Sequence, residues 1–399
     1  MEPQPGSVYL YRTPVDSNVV PFERYRDLAY QALSRLEVPL PAEGTIVFKP
    51  NITVPTEPDT RIITHPGFVL GLLQCLVERG VSPERLVVVE GWGRPRQRGA
   101  QRPRPLHLRH HHHRHGHHNH KHGERPPRPP LPEVSGYDEA LGQLGLSLTN
   151  HDEVEGVDIQ IPGAVVFPQL KFTDYAAEAA LLVNVPVAKC HNLSCTTLCT
   201  KNLQGLVMSP QRHMCSIQAE DEGLSDADLA RMNGMGCSHH EERFCNKHAD
   251  LLTGVRNMGM PRLCVIDGMV GRDGTAFNEG GNYPLGWTLI GDNEVHVDSV
   301  GSYLFGLDPE KIPYLRVASD RGLGTNRIAD IEVVDLASGD ALDSRALAAH
   351  RSERVLMPLS RHEGGHYARF REDGSFVPWI LDRVNEQRAA DGLELISAT

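Results

Sequence analysis

The sequence predicts an α/β protein: a mostly parallel or mixed sheet with flanking helices, interrupted by a disordered insertion rich in His, Arg and Pro. Three observations carry this. Short β-branched runs alternate with helical patterns. The strands are apolar without alternation, as in VVV at 87–89, which suits a sheet covered on both faces. And a strand end with a charged or polar residue and a turn recurs, at Lys49-Pro50-Asn51, Glu90-Gly91, Lys189-Cys190-His191, Asp267-Gly268 and Asp292, the edge where open parallel sheets collect their ligands.

Thr45–Lys49 (TIVFK) reads as a strand feeding a polar loop, 52–64, that holds Pro55, Pro58 and four threonines. His65–Arg79 follows with Val69, Leu72, Leu73, Leu76 and Val77 at helical spacing and Gly80 as the stop. Leu86–Glu90 (LVVVE) is the next strand, so the unit predicts a right-handed parallel crossover. Residues 92–135 contain ten histidines and many Arg and Pro, bury almost nothing apolar, and read as disordered. Order resumes near Tyr137–Leu144, a helical pattern. Leu181–Val185, Cys264–Asp267 and Thr288–Ile290 are short strands ended by Pro186, Gly268 and Gly291–Asp292, and Val297–Leu304 starts a helix. The organisation is an N-terminal α/β part (1–91), the insertion (92–135), the rest of the domain with a Cys/His-rich segment at 190–248 (136–336), and a C-terminal extension (337–399).

The net charge of −11 hides an asymmetry: residues 94–130 carry nine Arg, one Lys and one Glu, leaving −20 on the rest. An acidic body argues against nucleic acid as the main partner. There is no apolar run of 18 residues and no secretory leader, so the expectation is a cytoplasmic protein that does not engage a membrane. In a reducing compartment the eight cysteines, six of them between 190 and 245, are free thiols, metal ligands or catalytic groups rather than disulfides.

Several blocks resemble a bacterial and archaeal family known as domain of unknown function family 362. They are VFKPN at 47–51, VVVEG at 87–91, NVPVAKCHNLSCTTLCTKNLQG at 184–205, His213, CVIDGMVGRDG at 264–274, GDNEVHVDSVGSYLFGLDPEKIPYL at 291–315 and GLG at 322–324. The middle block is the most specific. The resemblance runs from about Ile46 to Leu336 and implies a fold and a site region more than a reaction. The chain departs from it in the His-rich insert, in the crowding of Cys190, Cys195 and Cys199, and in having no ferredoxin-type module such as some relatives carry.

Lys49, Lys189 and Lys201, at strand ends or in that block, suit an anionic substrate, and a desolvated lysine can serve as a base. Asn51 and Asn202 accompany them, and His191 and His213 are candidates for proton transfer or metal ligation. Asp267 and Asp292 follow strands and suit acid–base work or a divalent cation, against the simpler roles of turn former and cap; Asp298, at a helix start, reads first as a cap. Cys195 and Cys199, four apart, would share one face of a helix. With Cys190, Cys215, Cys237, Cys245, His239, His240 and His248 they supply ligands for zinc or an iron–sulfur cluster, though no CxxC pair exists. His362-Glu363-Gly364-Gly365-His366 matches a zinc-protease pattern that works only on a helix, and its paired glycines favour a turn. Gly322-Leu323-Gly324 reads as a turn.

The favoured function is an enzyme acting on a small carboxylate or phosphate. Catalysis falls to Lys189, His191, Lys201 and Asp267, and binding to Lys49, Asn51, Asn202 and His213. A metal, where one assists, falls to Cys190, Cys195, Cys199, Cys215 and Asp292. The alternative is a metal or iron–sulfur protein of electron transfer or metal handling, and the cofactor and oligomeric state stay open.

Overall fold

The computed structural model describes residues 1–92, 131–215, 238–276, 279–362, 365–368 and 389. Most of the expected insertion, and Cys237, lie outside them, as do the side chains of His239 and His240. The described residues take up again inside the expected insertion, in a short helix, Leu131–Val134, whose Leu131 is buried.

Among the described residues ten strands form one mixed sheet. They are β1 (Val8–Arg12), β2 (Ile46–Pro50), β3 (Leu86–Glu90), β4 (Leu148–Asn150), β7 (Leu181–Val185), β8 (Val187–His191), β9 (Cys195–Thr197), β10 (Arg262–Arg272), β11 (Asn282–Gly291) and β12 (Val333–Asp335). The order is β12-β1-β11-β10-β7-β2-β3-β4, with β8 on β10 and β9 on β8. Strands β10, β7, β2, β3 and β4 run parallel, while β11 is antiparallel to both β10 and β1. A separate hairpin pairs β5 (Gly156–Gln160) with β6 (Gln169–Thr173).

Apolar strands without alternation are explained by two cores, one on each face. Ile46, Phe48, Val88, Leu181 and Val183 pack with helices Phe22–Ser34 and Pro66–Glu78. Val47, Val89 and Leu182, pointing the other way, pack with helices Ser238–Asn257 and Glu294–Leu304. No helix among the described residues is long and apolar enough to cross a membrane.

Two strands are longer than expected. Gly268 does not end β10; the strand continues to Arg272 through a bulge at Gly268–Val270. The glycine is there because the Trp287 indole lies across it: a Cβ would come within 2.2 Å of the ring. This extension lets β10 carry β7 on its first half and β8 on its second, along the same edge. Likewise β11 begins at Asn282.

Three local expectations are corrected. Cys195 and Cys199 do not share a helix face: Cys195 is in β9 at φ +64, closing the tight β8–β9 hairpin, and Cys199 begins a separate turn of helix, Cys199–Asn202. Asp298 does not cap its own helix; Asn293 does, accepting from Val295 and His296 N–H. Asp298 instead accepts from the N–H groups of Cys199 (2.6 Å) and Thr200 (2.9 Å), so it caps the 199–202 turn. The His362–His366 pattern falls on a hairpin of β13 (Leu359–His362) and β14 (Gly365–Ala368), not on a helix, so the spacing that would point two ligands one way is absent.

Candidate functional site

A cavity of about 690 Å³ opens at the C-terminal ends of β2 and β3 and against the β8–β9 hairpin. Lys49, Asn51, Lys189, His191, Lys201, Asn202 and His213 all line it, so seven positions from three separate parts of the sequence meet in one place. Among the described residues, Asp267, Asp292 and the cysteines do not line it.

Strand alternation decides which side chains enter. On β8, Lys189 and His191 lie two residues apart and face the cavity. Thr197 pairs opposite Lys189 and so faces the same way. Cys190 and Thr196 point to the opposite face, where Cys190 donates to Leu356 O (3.2 Å) and Thr196 meets Ser302 and Tyr314. Cys190 therefore cannot share a ligand with Lys189 or His191.

The walls are held by a chain of amides. Lys189 Nζ donates to Asn51 Oδ1 (2.8 Å) and Ile62 O (2.5 Å). Asn51 Nδ2 donates to Asn202 Oδ1 (3.0 Å), and Asn202 Nδ2 donates to Asn184 Oδ1 (2.8 Å) and Lys49 O (2.9 Å). Lys49 forms a buried ion pair with Glu90 (2.8 Å), and the same carboxylate accepts from Ile52 N–H (2.8 Å). On the far wall Arg212 grips Asp152 through two bonds, 2.7 and 2.9 Å. Lys201 Nζ reaches Gln204 Oε1 (3.3 Å) and Cys215 Sγ (3.4 Å) and lies 5.7 Å from the Phe244 ring centre.

His191 Nδ1 accepts from the N–H groups of Leu193 (3.0 Å) and Ser194 (3.3 Å). That places the proton of the neutral ring on Nε2. Burial, and then Lys201 and Lys189, hold the imidazole well below its ordinary range, so it stays neutral. Lys189 is also lowered well below the usual ammonium range, first by burial and then by Lys201 and Arg272. Lys49 is lowered by burial, which Glu90 opposes.

Asp267 lies outside the cavity. Its carboxylate accepts from His65 N–H (3.0 Å), the N-cap residue of helix 66–78, and burial pushes it up to about 6. Asp292 is exposed and accepts from Gly6 N–H (2.8 Å) at the other side of the sheet. Cys199 and Cys264 are buried, and burial raises both thiols, as it raises Cys190 well above its ordinary range. Metal binding requires thiolates. Among the described residues no group of three or more His, Cys, Asp or Glu side chains is gathered as a metal site, and the expected ligands Cys190, Cys195, Cys199, Cys215 and Asp292 are not brought together there.

Thr197, Gln204, Asp152 and Arg212 also line the cavity without having been candidates, although Thr197 belongs to the Thr pair of the 184–205 block. The Arg212–Asp152 pair spans 60 residues and has no local signal.

The model of the family described as domain of unknown function (DUF362) matches residues 46–303, nearly two thirds of the chain. The chain belongs to this family. No curated protein matches it. The matched stretch contains every strand and loop that builds the cavity, from Lys49 to His213. It stops short of β12 and the C-terminal hairpin.

Proposed function

We propose that this DUF362 member is an enzyme acting on a small anionic molecule, a carboxylate or phosphate, bound in the cavity at the strand ends. The observation that carries the reading is the charge balance of the lining. Among the described lining residues the basic side chains Lys49, Lys189, Lys201 and Arg212 outnumber the carboxylates Glu90 and Asp152, which pair with Lys49 and Arg212. An anion there meets Lys201, and Lys189 as it takes up a proton, in a desolvated place where the interaction is strongest.

Catalytic rather than passive binding is supported by the perturbed groups gathered there. His191 presents a neutral Nε2–H, suited to donate to an oxygen on which charge develops. Lys189, driven toward the neutral amine, is the base candidate. Lys201 and Lys49 hold charge, while Asn51 and Asn202 fix the lysines in place. The competing metal-handling reading relies on Cys190 and Cys199, whose thiols burial raises well above their ordinary range.

Calorimetric titration with inorganic phosphate and with malonate tests this. The wild type binds at least one of them, and Lys201→Met weakens that binding about tenfold or more, as for loss of a charge-assisted bond. Binding of neither anion, or unchanged binding in Lys201→Met and Lys189→Met, defeats the reading. Proton transfer is tested by solvent deuterium entering carbon-bound positions of candidate carboxylic acids, followed by NMR, with His191→Gln as the control that slows it.

A further inference from the structure

The Thr197 hydroxyl is buried, lines the cavity and has no hydrogen-bond partner among the described residues. A hydroxyl of this kind costs stability unless something bonds to it. Thr196, one residue earlier and on the other face, has two partners. The orphan is thus confined to the face that carries Lys189 and His191.

Trp92, two residues beyond the end of β3, also lines the cavity. It is 37% exposed and is the one exposed aromatic side chain among the described residues. Ile52 and Met208 also line the cavity and supply apolar surface to it. Strand β8 follows β7 along the β10 edge, so the hairpin and the end of β3 are separated by the β2 position. The volume of about 690 Å³ is that of a site for a whole small molecule rather than a bare ion.

We propose that the ligand is an organic anion with a fixed direction, its anionic group at the β8–β9 hairpin on Thr197 Oγ1 and its planar or apolar body against Trp92. This rests on the anion reading above and names its ligand class. Thr197 donates its proton to an anionic oxygen, and the indole offers a face on which a ring stacks.

The test uses two probes, inorganic phosphate and phenyl phosphate, titrated calorimetrically into the full chain. Thr197→Val, of the same shape without the hydroxyl, weakens both probes about tenfold and leaves the melting temperature unchanged or higher, whereas Thr197→Ser keeps wild-type binding. Trp92→Leu weakens phenyl phosphate about fivefold and leaves inorganic phosphate as it was. Undiminished phosphate binding in Thr197→Val overturns the proposal, and so does an equal loss of both probes in Trp92→Leu. Failure of the wild type to bind either probe overturns this inference, and the anion reading falls with it only where malonate also fails to bind.

Discussion

Asn51 and Asn202, 151 positions apart, are joined side chain to side chain: Asn51 Nδ2 donates to Asn202 Oδ1 at 3.0 Å. The bond sits between two lysines, since Asn51 also accepts from Lys189 and Asn202 also donates to the carbonyl of Lys49. Both amides are buried, so their orientation is set by the network. Asn202→Ala strands the amides of Asn51 and Asn184 together with one carbonyl. At about 1–3 kcal/mol for each buried group left unpaired, the variant should lose several kcal/mol in urea unfolding. A loss under 1 kcal/mol would mean that the network relaxes freely.

Gly205 is a second contact that a small change should break. A Cβ there would lie 2.5 Å from Lys49 Cε and 2.7 Å from Nζ. Lys49 holds Glu90 from that position, so moving aside means giving up the pair. Gly205→Ala should uncouple the pair and cost about 3 kcal/mol, in the range for breaking a buried ion pair. Lys49→Met in the same background should add little further loss, because the pair is already broken.

Anion binding should be linked to protons. In the free protein Lys189 is lowered well below the usual ammonium range, first by burial, and an anion beside it raises it again. Binding therefore takes up a proton wherever the pH lies above the free-state value. Phosphate titrated in two buffers of different ionisation heat should show uptake, and affinity should fall as pH rises. Lys189→Met should abolish the uptake; equal apparent enthalpies in both buffers would count against the assignment.

Stability should fall in acid. His65, His151 and His248 are lowered to about 3, about 4 and about 3, in each case first by burial, and His191 is lowered well below its ordinary value. Their folded values lie below the unfolded 6.5, so the stability they contribute is full above 6.5 and is lost as pH falls. Asp267 and Asp298, raised by burial to about 6, act oppositely: their contribution is present below about 4 and is lost as pH rises through 6. Near pH 5 the unfolded chain binds four histidine protons where the folded chain binds two aspartate protons. The net slope is about two protons, at about 1.4 kcal/mol each per pH unit. The melting temperature should therefore drop between pH 6.5 and 4.5. His65→Asn, which keeps an acceptor for the helix start at Gly67, should make the drop shallower by one proton.

Asp298 tests how the Lys201 turn is positioned. Its carboxylate caps Cys199 and Thr200 and also accepts from Tyr314 OH (3.2 Å). Asp298→Ala removes all three bonds, and should cost about 3 kcal/mol or more while weakening phosphate binding. Asp298→Asn retains one side-chain acceptor and should recover part of both. Lost stability with phosphate affinity intact would separate Asp298 from the site.

Much of the fold and of the lining was legible in the amino-acid order alone. The runs at 45–49, 86–90 and 181–185 are strands because β-branched and apolar residues favour a covered sheet, and helix 66–78 follows from its spacing and the Pro66 start. The polar tips Lys49, Asn51, Lys189 and His191 could be named because a strand end is a local feature. Partners distant in sequence could not. That Asp267 caps a helix start outside the cavity, that Asp298 caps a turn 98 residues before it, that Arg212 takes Asp152, and that Cys190 turns away while Lys189 turns inward all depend on which strands lie side by side and in what register. Hydrophobic periodicity records only whether a residue is covered. What covers it, and which polar atoms burial then forces to pair, is decided when the sheet assembles.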